Sequence, residues 1–201
     1  MKKKVIVKGP ALSASGYGEH TRLVLRSLRT REDIFDIYLI DIPWGHTGQA
    51  IELSEELGWF RTLIQKTQQS KEEYDISLQV TIPNEFQKMA NVNIGITAGI
   101  ETNKISPEWI QKCNEMDKII TISEHSKKGF TDTKYPLVNQ NSEHIADLFC
   151  QVPVEIVGYP VKDIEPSDVE YDFETDFNFL TVALWGQRKN CLLYTSDAAD
   201  E

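Results

Sequence analysis

Gly16-Tyr17-Gly18 closes a polar run, Gly9-Pro-Ala-Leu-Ser-Ala-Ser-Gly-Tyr-Gly18, that separates a short apolar stretch from a helical pattern. Glycines at a helix start let backbone N–H groups come close to an anion or a sugar, since no side chain screens the positive end of the helix. The same glycines would serve a chain that merely has to turn into its helix, and both readings stay open here. Asp41 lies near the ~20-residue distance at which a dinucleotide fold sets a ribose-binding carboxylate. Against that reading, the loop from Lys8 to Gly18 is longer than the tight turn of the fingerprint, and Thr21 stands in place of its third glycine. No Gly-Lys-Ser/Thr follows the glycines, which excludes a P-loop, and no Gly-x-Ser-x-Gly elbow exists for a serine hydrolase.

The remaining reactive side chains are dispersed. Cys113 and Cys150 show no C-x-x-C spacing, and His20, His46, His125 and His144 have no ligand periodicity, so no metal site is expected. Glu124-His125 reads as a solvated pair at a helix start rather than an acid–base couple. Asp172, Glu174 and Asp176 alternate in a way that suggests a metal-binding acidic motif, but they belong to a longer acidic run and read as solvated charge.

The elements that must position these groups alternate regularly. Strands are expected over Lys4–Lys8, Phe35–Asp41, Ile76–Thr81, Val92–Ile100, Lys118–Ile122 and Val154–Val157. The first helix runs to about Arg29 with Thr21, Val24, Leu25 and Leu28 on one stripe, and the second carries Leu53, Leu57, Phe60 and Ile64. Ser106 with Pro107 and Glu108, and Ser123 before Glu124, mark two further helix starts. Residues 131–153 show no regular pattern. Strands alternating with helices imply an α/β fold, a Rossmann-like doubly wound parallel sheet, whose ligands sit beyond the carboxyl ends of the strands. Chemistry is therefore sought in Gly9–Gly18, Asp41–Gly48, Ile82–Glu85, Glu101–Ser106 and Ser123–Lys127.

The 201 residues suffice for a real core, and 40% hydrophobic with 26% charged residues is ordinary globular composition. A net charge of −10 repels polyphosphate backbones, so no general nucleic-acid binder is expected, whereas a single diphosphate can still be held locally. No apolar run approaches the ~20 residues of a membrane span, and Val5–Val7 is too short for a secretory core. Together with three unpatterned cysteines this sets a cytoplasmic expectation.

Taken in order, Lys8-Gly-Pro…Ser15-Gly-Tyr-Gly…Thr21-Arg22, Gln79-Val-Thr-Ile-Pro-Asn-Glu-Phe86, Gly99-Ile-Glu-Thr102…Trp109 and Asp117-Lys-Ile-Ile-Thr-Ile-Ser-Glu-His-Ser-Lys127 resemble the N-terminal domain of a GT-B glycosyltransferase of the family-four type. Val157-Gly-Tyr-Pro-Val161 is similar to the crossover toward the second domain, and Phe179-Leu-Thr-Val-Ala-Leu-Trp-Gly-Gln-Arg-Lys-Asn190 to that domain's first strand and phosphate loop. The implied organisation is an acceptor-side domain over 1–159, an acidic linker over 160–176 and the start of a donor-binding domain over 177–190. The last eleven residues, 191–201, resemble the translation of a sequencing adapter; without Asp197, Asp200 and Glu201 the charge is −7.

The resemblance implies transfer of a sugar from a nucleotide-sugar donor to an acceptor hydroxyl, with retention of configuration and without a metal or other cofactor. Gly16, Tyr17 and Gly18 would press on the sugar diphosphate from one side, Arg188 and Lys189 from the other. Leu184 stands where many relatives carry arginine, and Arg188 is its substitute. Glu101 falls about where relatives carry a histidine contacting the transferred sugar; a carboxylate there would accept a hydroxyl proton or bind sugar hydroxyls. Trp44, His46, Asn84, Glu85, Thr102 and Ser123, all in strand-end segments, are the acceptor-side candidates. The paired glutamates that grip the donor in such enzymes have no counterpart before Asn190, so the 201-residue chain is expected not to turn over. The alternatives are a noncatalytic Rossmann-like binding or assembly module and an NAD-type oxidoreductase.

Overall fold

A computed structural model describes residues 2–45, 47–48, 54–71, 73–161, 163–165, 172, 173, 175, 177, 178 and 180. The chain divides into two compact units, Met1–Val161 and Lys162–Glu201. In the first unit the elements run β1 (Lys3–Gly9), α1 (Gly16–Arg29), β2 (Phe35–Asp41), α2 (Glu55–Gln69), β3 (Tyr74–Val80), a 3-10 turn at Pro83–Glu85, β4 (Ala90–Thr97), α3 (Pro107–Cys113), β5 (Lys118–Thr121), α4 (Glu124–Asp132), β6 (Lys134–Val138), β7 (His144–Phe149) and β8 (Val154–Ile156). Six strands form one parallel sheet in the order β2-β1-β3-β4-β5-β8, and helices flank it as the alternating pattern predicts.

Alternate residues of each strand serve different layers. Val5, Val7, Ile37 and Leu39 join Leu25 and Leu28 of α1 and Leu57, Phe60 and Leu63 of α2 in one core cluster. Ile119 and Val154 pack on the other with Phe86, Ile105, Ile110, Cys113 and Phe130. Of the expected α1 stripe Thr21, Leu25 and Leu28 are buried and Val24 is partly covered; the second helix buries Leu57, Phe60 and Leu63 and leaves Ile64 partly covered, while Leu53 lies outside the described residues. α2 covers the outer edge of β2, where Thr67 Oγ1 accepts from the Leu39 N–H at 2.8 Å and Lys66 Nζ donates to the Ile37 carbonyl at 3.0 Å. Side chains of the helix thereby satisfy edge groups that would otherwise invite a foreign strand.

Two departures from expectation exceed a shift of two residues. β4 stops at Thr97 rather than Ile100, because Gly99 takes a φ of +80° and the Ser126 hydroxyl donates to the Ala98 carbonyl at 2.8 Å, bending the chain away from the sheet. Residues 131–153 are not irregular: α4 ends at Asp132, and β6 and β7 pair antiparallel around the polar turn at Asn139–Glu143. Pro136 and the scarcity of alternating apolar residues hide this hairpin from a pattern search, since most of it faces solvent. No helix among the described residues is long and apolar enough to cross a membrane.

In the second unit, Thr175 Oγ1 donates to Asn178 Oδ1 at 2.9 Å and Asn178 Nδ2 donates to the Thr175 carbonyl at 2.9 Å, forming a local turn. Of the donor-domain start expected over 177–190 only residues 177, 178 and 180 are described, and most of the acidic run also falls outside the described residues.

Candidate functional site

The carboxyl ends of β1, β3, β4 and β5 and the start of α1 form one crest, and the glycine loop is its most highly constrained part. Ser15 caps α1 by accepting the Gly18 N–H at 3.0 Å. Arg22, one turn into the helix, donates from Nη1 to the carbonyls of Ala11 at 2.8 Å and Ser13 at 2.9 Å, and its Nε pairs with Glu19 at 2.8 Å. From the other side Asp41 Oδ1 accepts the Leu12 N–H at 3.0 Å. Burial pushes the Asp41 carboxyl up from its ordinary value, opposed by the Leu12 and Ala11 amides. Asp41 therefore helps to hold the loop.

The two glycines do different work. A Cβ on Gly18 would lie 2.1 Å from the Ser13 carbonyl oxygen and 3.0 Å from that of Pro10, so Gly18 is a packing requirement of the loop. A Cβ on Gly16 would meet nothing within 4 Å. Gly16 is exposed at the first turn of a 14-residue helix, where the leading N–H groups have no intrahelical acceptor and the dipole favours negative charge.

Tyr17 braces the crest rather than reaching outward. Its hydroxyl shares a hydrogen bond of 2.9 Å with Thr97 Oγ1 at the end of β4 and accepts the Ala98 N–H at 3.2 Å. Burial raises the phenol, those hydrogen bonds pull it back, and the charges of Glu85 and Glu101 raise it further, which sets both carboxylates within electrostatic reach of Tyr17. Trp44 packs against its ring in a tilted arrangement, with centroids 4.5 Å apart at 35°. The loop bearing Trp44 is zipped to the glycine loop through Ser13 Oγ and Thr47 Oγ1, 2.6 Å apart, and through the Ala14 N–H to the Gly48 carbonyl at 2.8 Å.

Glu85 is held at the 3-10 turn after β3. Thr81 Oγ1 donates to its carboxylate, and Lys8 Nζ, at the end of β1, donates to its main-chain oxygen at 2.8 Å. Burial lowers the Lys8 ammonium, with the Glu85 charge opposing. This turn is anchored from beneath by buried polar residues: Gln79 Nε2 donates to the Gln87 carbonyl at 2.6 Å, and Asn93 Oδ1 accepts the Met89 N–H at 2.8 Å. Asn84 Oδ1, on the same turn, is buried with no partner among the described residues, as is Thr121 Oγ1 at the last residue of β5.

The structure thus gathers Gly16, Tyr17, Trp44, Asn84, Glu85 and Glu101 on one crest. Thr102 and Ser123 each have a local partner: Thr102 Oγ1 donates to the Lys104 carbonyl at 2.8 Å, and Ser123 Oγ caps α4 by accepting the Ser126 N–H at 3.1 Å. Gly18 likewise belongs to the loop's packing. His46, Arg188 and Lys189 lie outside the described residues. His125 Nε2 sits 3.3 Å from the Glu101 carbonyl oxygen, so the exposed histidine of α4 marks the same bend.

Sequence reasoning missed Lys8, Arg22, Thr81, Thr97 and Thr121 as site or positioning residues. The usable signal was the threonine that closes each of β4 and β5 or follows β3 directly. A separate apolar hollow of about 300 Å³ lies between α1 and residues 157–160, lined by Leu23, Val24, Leu78, Ile96, Ile120 and Tyr159. His20 is buried beside it, 3.4 Å from the Tyr159 hydroxyl, and burial lowers its imidazole to about 4.

Compared with known protein families, curated proteins and solved structures, the chain matches none of them.

Proposed function

We propose that this chain is the acceptor-side half of a nucleotide-sugar-dependent glycosyltransferase of the GT-B, family-four type. What supports this reading is the ordered resemblance of the segments around β1, β3, β4 and β5, together with a parallel sheet that brings Gly16, Glu85 and Glu101 of those segments to its carboxyl edge.

In this reading the open first turn of α1 at Gly16 faces the donor diphosphate. Loss of a nucleoside diphosphate develops negative charge on its bridging oxygen, and a fixed helix N-terminus lowers the cost of that charge without reorganising. Glu101 accepts the proton of the attacking acceptor hydroxyl or orients it. Tyr17, tied to β4, keeps the glycine turn and Glu101 in register. An NAD-type reading has less to stand on, because the loop before α1 is longer than the tight dinucleotide turn and Thr21 stands in place of its third glycine.

Saturation-transfer NMR with a panel of nucleotide sugars, free sugars and nicotinamide dinucleotides tests the reading on the 201-residue chain. The expected result is transfer to sugar-ring protons that Gly16→Val and Glu101→Ala both abolish while the far-UV spectrum is unchanged. Transfer concentrated on nicotinamide and adenosine protons, with none to any sugar, would overturn it.

A further inference from the structure

The base of the β6–β7 hairpin carries two thiols that the proposed transfer does not use. α3 ends at Cys113, and the next residue, Asn114, reaches to the far end of the hairpin. Its Nδ2 donates to the Phe149 carbonyl at 2.9 Å, and its Oδ1 accepts the Gln151 N–H at 2.8 Å. These two bonds bracket Cys150 and clamp its backbone beside the last turn of α3. Cys113 and Cys150 pack in the same apolar cluster, Cys113 wholly buried and Cys150 partly exposed, with the Cys150 thiol donating to the Val152 carbonyl at 3.8 Å. Burial raises both thiols, and Cys150 raises Cys113 further.

We propose that Cys113 and Cys150 form a dithiol that closes to a disulfide with a small-molecule disulfide as oxidant, locking the β6–β7 hairpin onto α3. The difference in exposure sets the order of events. The Cys150 thiolate attacks one sulfur of oxidised glutathione, the oxidant's S–S bond breaks, and one glutathione thiolate leaves. Cys113 gives its proton to solvent and attacks the Cys150 sulfur, expelling the second glutathione. Two protein thiols are oxidised and one glutathione disulfide is reduced to two thiols, with no further electron acceptor needed. Raised thiols make the exchange slow at neutral pH and faster as pH rises. The lock matters because a two-stranded hairpin is marginal by itself, and this one exposes Leu137, Val138 and Ile145, at 45%, 56% and 65%.

The third cysteine, Cys191, is removed for the test by Cys191→Ser in the 201-residue chain. The protein is equilibrated in glutathione redox buffers at about pH 8, where the thiolate fraction is larger, then alkylated, digested and mapped by mass spectrometry. The expected product is a peptide linking Cys113 to Cys150, reversed by dithiothreitol and accompanied by a thermal midpoint several degrees higher than that of the reduced form. Adding Cys113→Ala should halt the reaction at one glutathione on Cys150, and the peptide map of the parent decides the matter if that variant does not fold. A glutathione adduct on Cys150 with Cys113 still free in the parent, or both thiols reduced across the whole range of buffers, would overturn the proposal.

Discussion

Gly18→Ala is the sharpest probe of how the glycine loop is built. The new methyl would sit 2.1 Å from the Ser13 carbonyl oxygen and 3.0 Å from that of Pro10, both main-chain atoms that cannot swing aside as a side-chain tip would. Relief requires the loop to retreat by more than about 1 Å to regain van der Waals contact. The Ser13 carbonyl is also an acceptor of Arg22, and the Gly18 N–H is the donor to the Ser15 cap, so the retreat strains both. Overpacking of this kind costs about 2–3 kcal/mol, a cap loss included. For a chain of this size that is a fall of about 5–10 °C in the thermal midpoint. Gly16→Ala is the control: its methyl enters open space at a helical position, where alanine is neutral or stabilises by up to about 1 kcal/mol. Urea and thermal unfolding followed by circular dichroism measure both. Equal stability of the two variants, or a Gly18→Ala loss below about 0.5 kcal/mol, within the range of an ordinary surface substitution, would refute the division of labour between the glycines.

Three further outcomes follow from the same contacts. Asp41→Ala orphans the Leu12 N–H and should cost about 1–2 kcal/mol, whereas Asp41→Asn keeps an acceptor there and should be nearly neutral; because burial raises the Asp41 carboxyl, its ionisation opposes folding, so Asp41→Asn should gain on the parent as pH rises through the acid range, and urea titrations at pH values either side of it decide. His20 is lowered to about 4 by burial, so between its unfolded value near 6.5 and 4 the unfolded chain binds a proton that the folded chain refuses. Stability conferred by neutral His20 is complete above 6.5 and is lost as pH falls, by about 3 kcal/mol at the most; His20→Gln should flatten the pH dependence of unfolding in that window, and an unchanged slope would sink the assignment. Thr67→Val removes the side-chain acceptor of the Leu39 N–H at the edge of β2 and should cost about 1–2 kcal/mol, with faster amide exchange at Leu39 by NMR as its specific signature.

The alternation of apolar strands with capped amphipathic helices was enough to give the parallel α/β architecture, because burying one stripe of each helix on a sheet leaves few other arrangements. Thr21, Leu25 and Leu28 at helical spacing and Ser106-Pro107 at a helix start are local signals, and the structure has the elements where those signals put them. The strand-end segments containing Gly16, Asn84, Glu85 and Glu101 were legible for the same topological reason. Tertiary contact alone decided the rest. Whether Gly18 is a ligand's glycine or the loop's depends on a carbonyl five residues away, which no spacing rule contains. Whether Asp41 helps to hold the loop depends on the Leu12 amide brought to it by the return of β2 beside β1. Thr102 and Ser123 look like ligand hydroxyls in the sequence and serve their own turn and cap in the fold. Cys150 comes to lie beside the last turn of α3 because Asn114 holds the far end of a hairpin that carries too little apolar alternation to be read from its residues. Periodicity reports which side of an element is buried, and hydrogen-bond partners distant in the chain are chosen only once those buried sides have met.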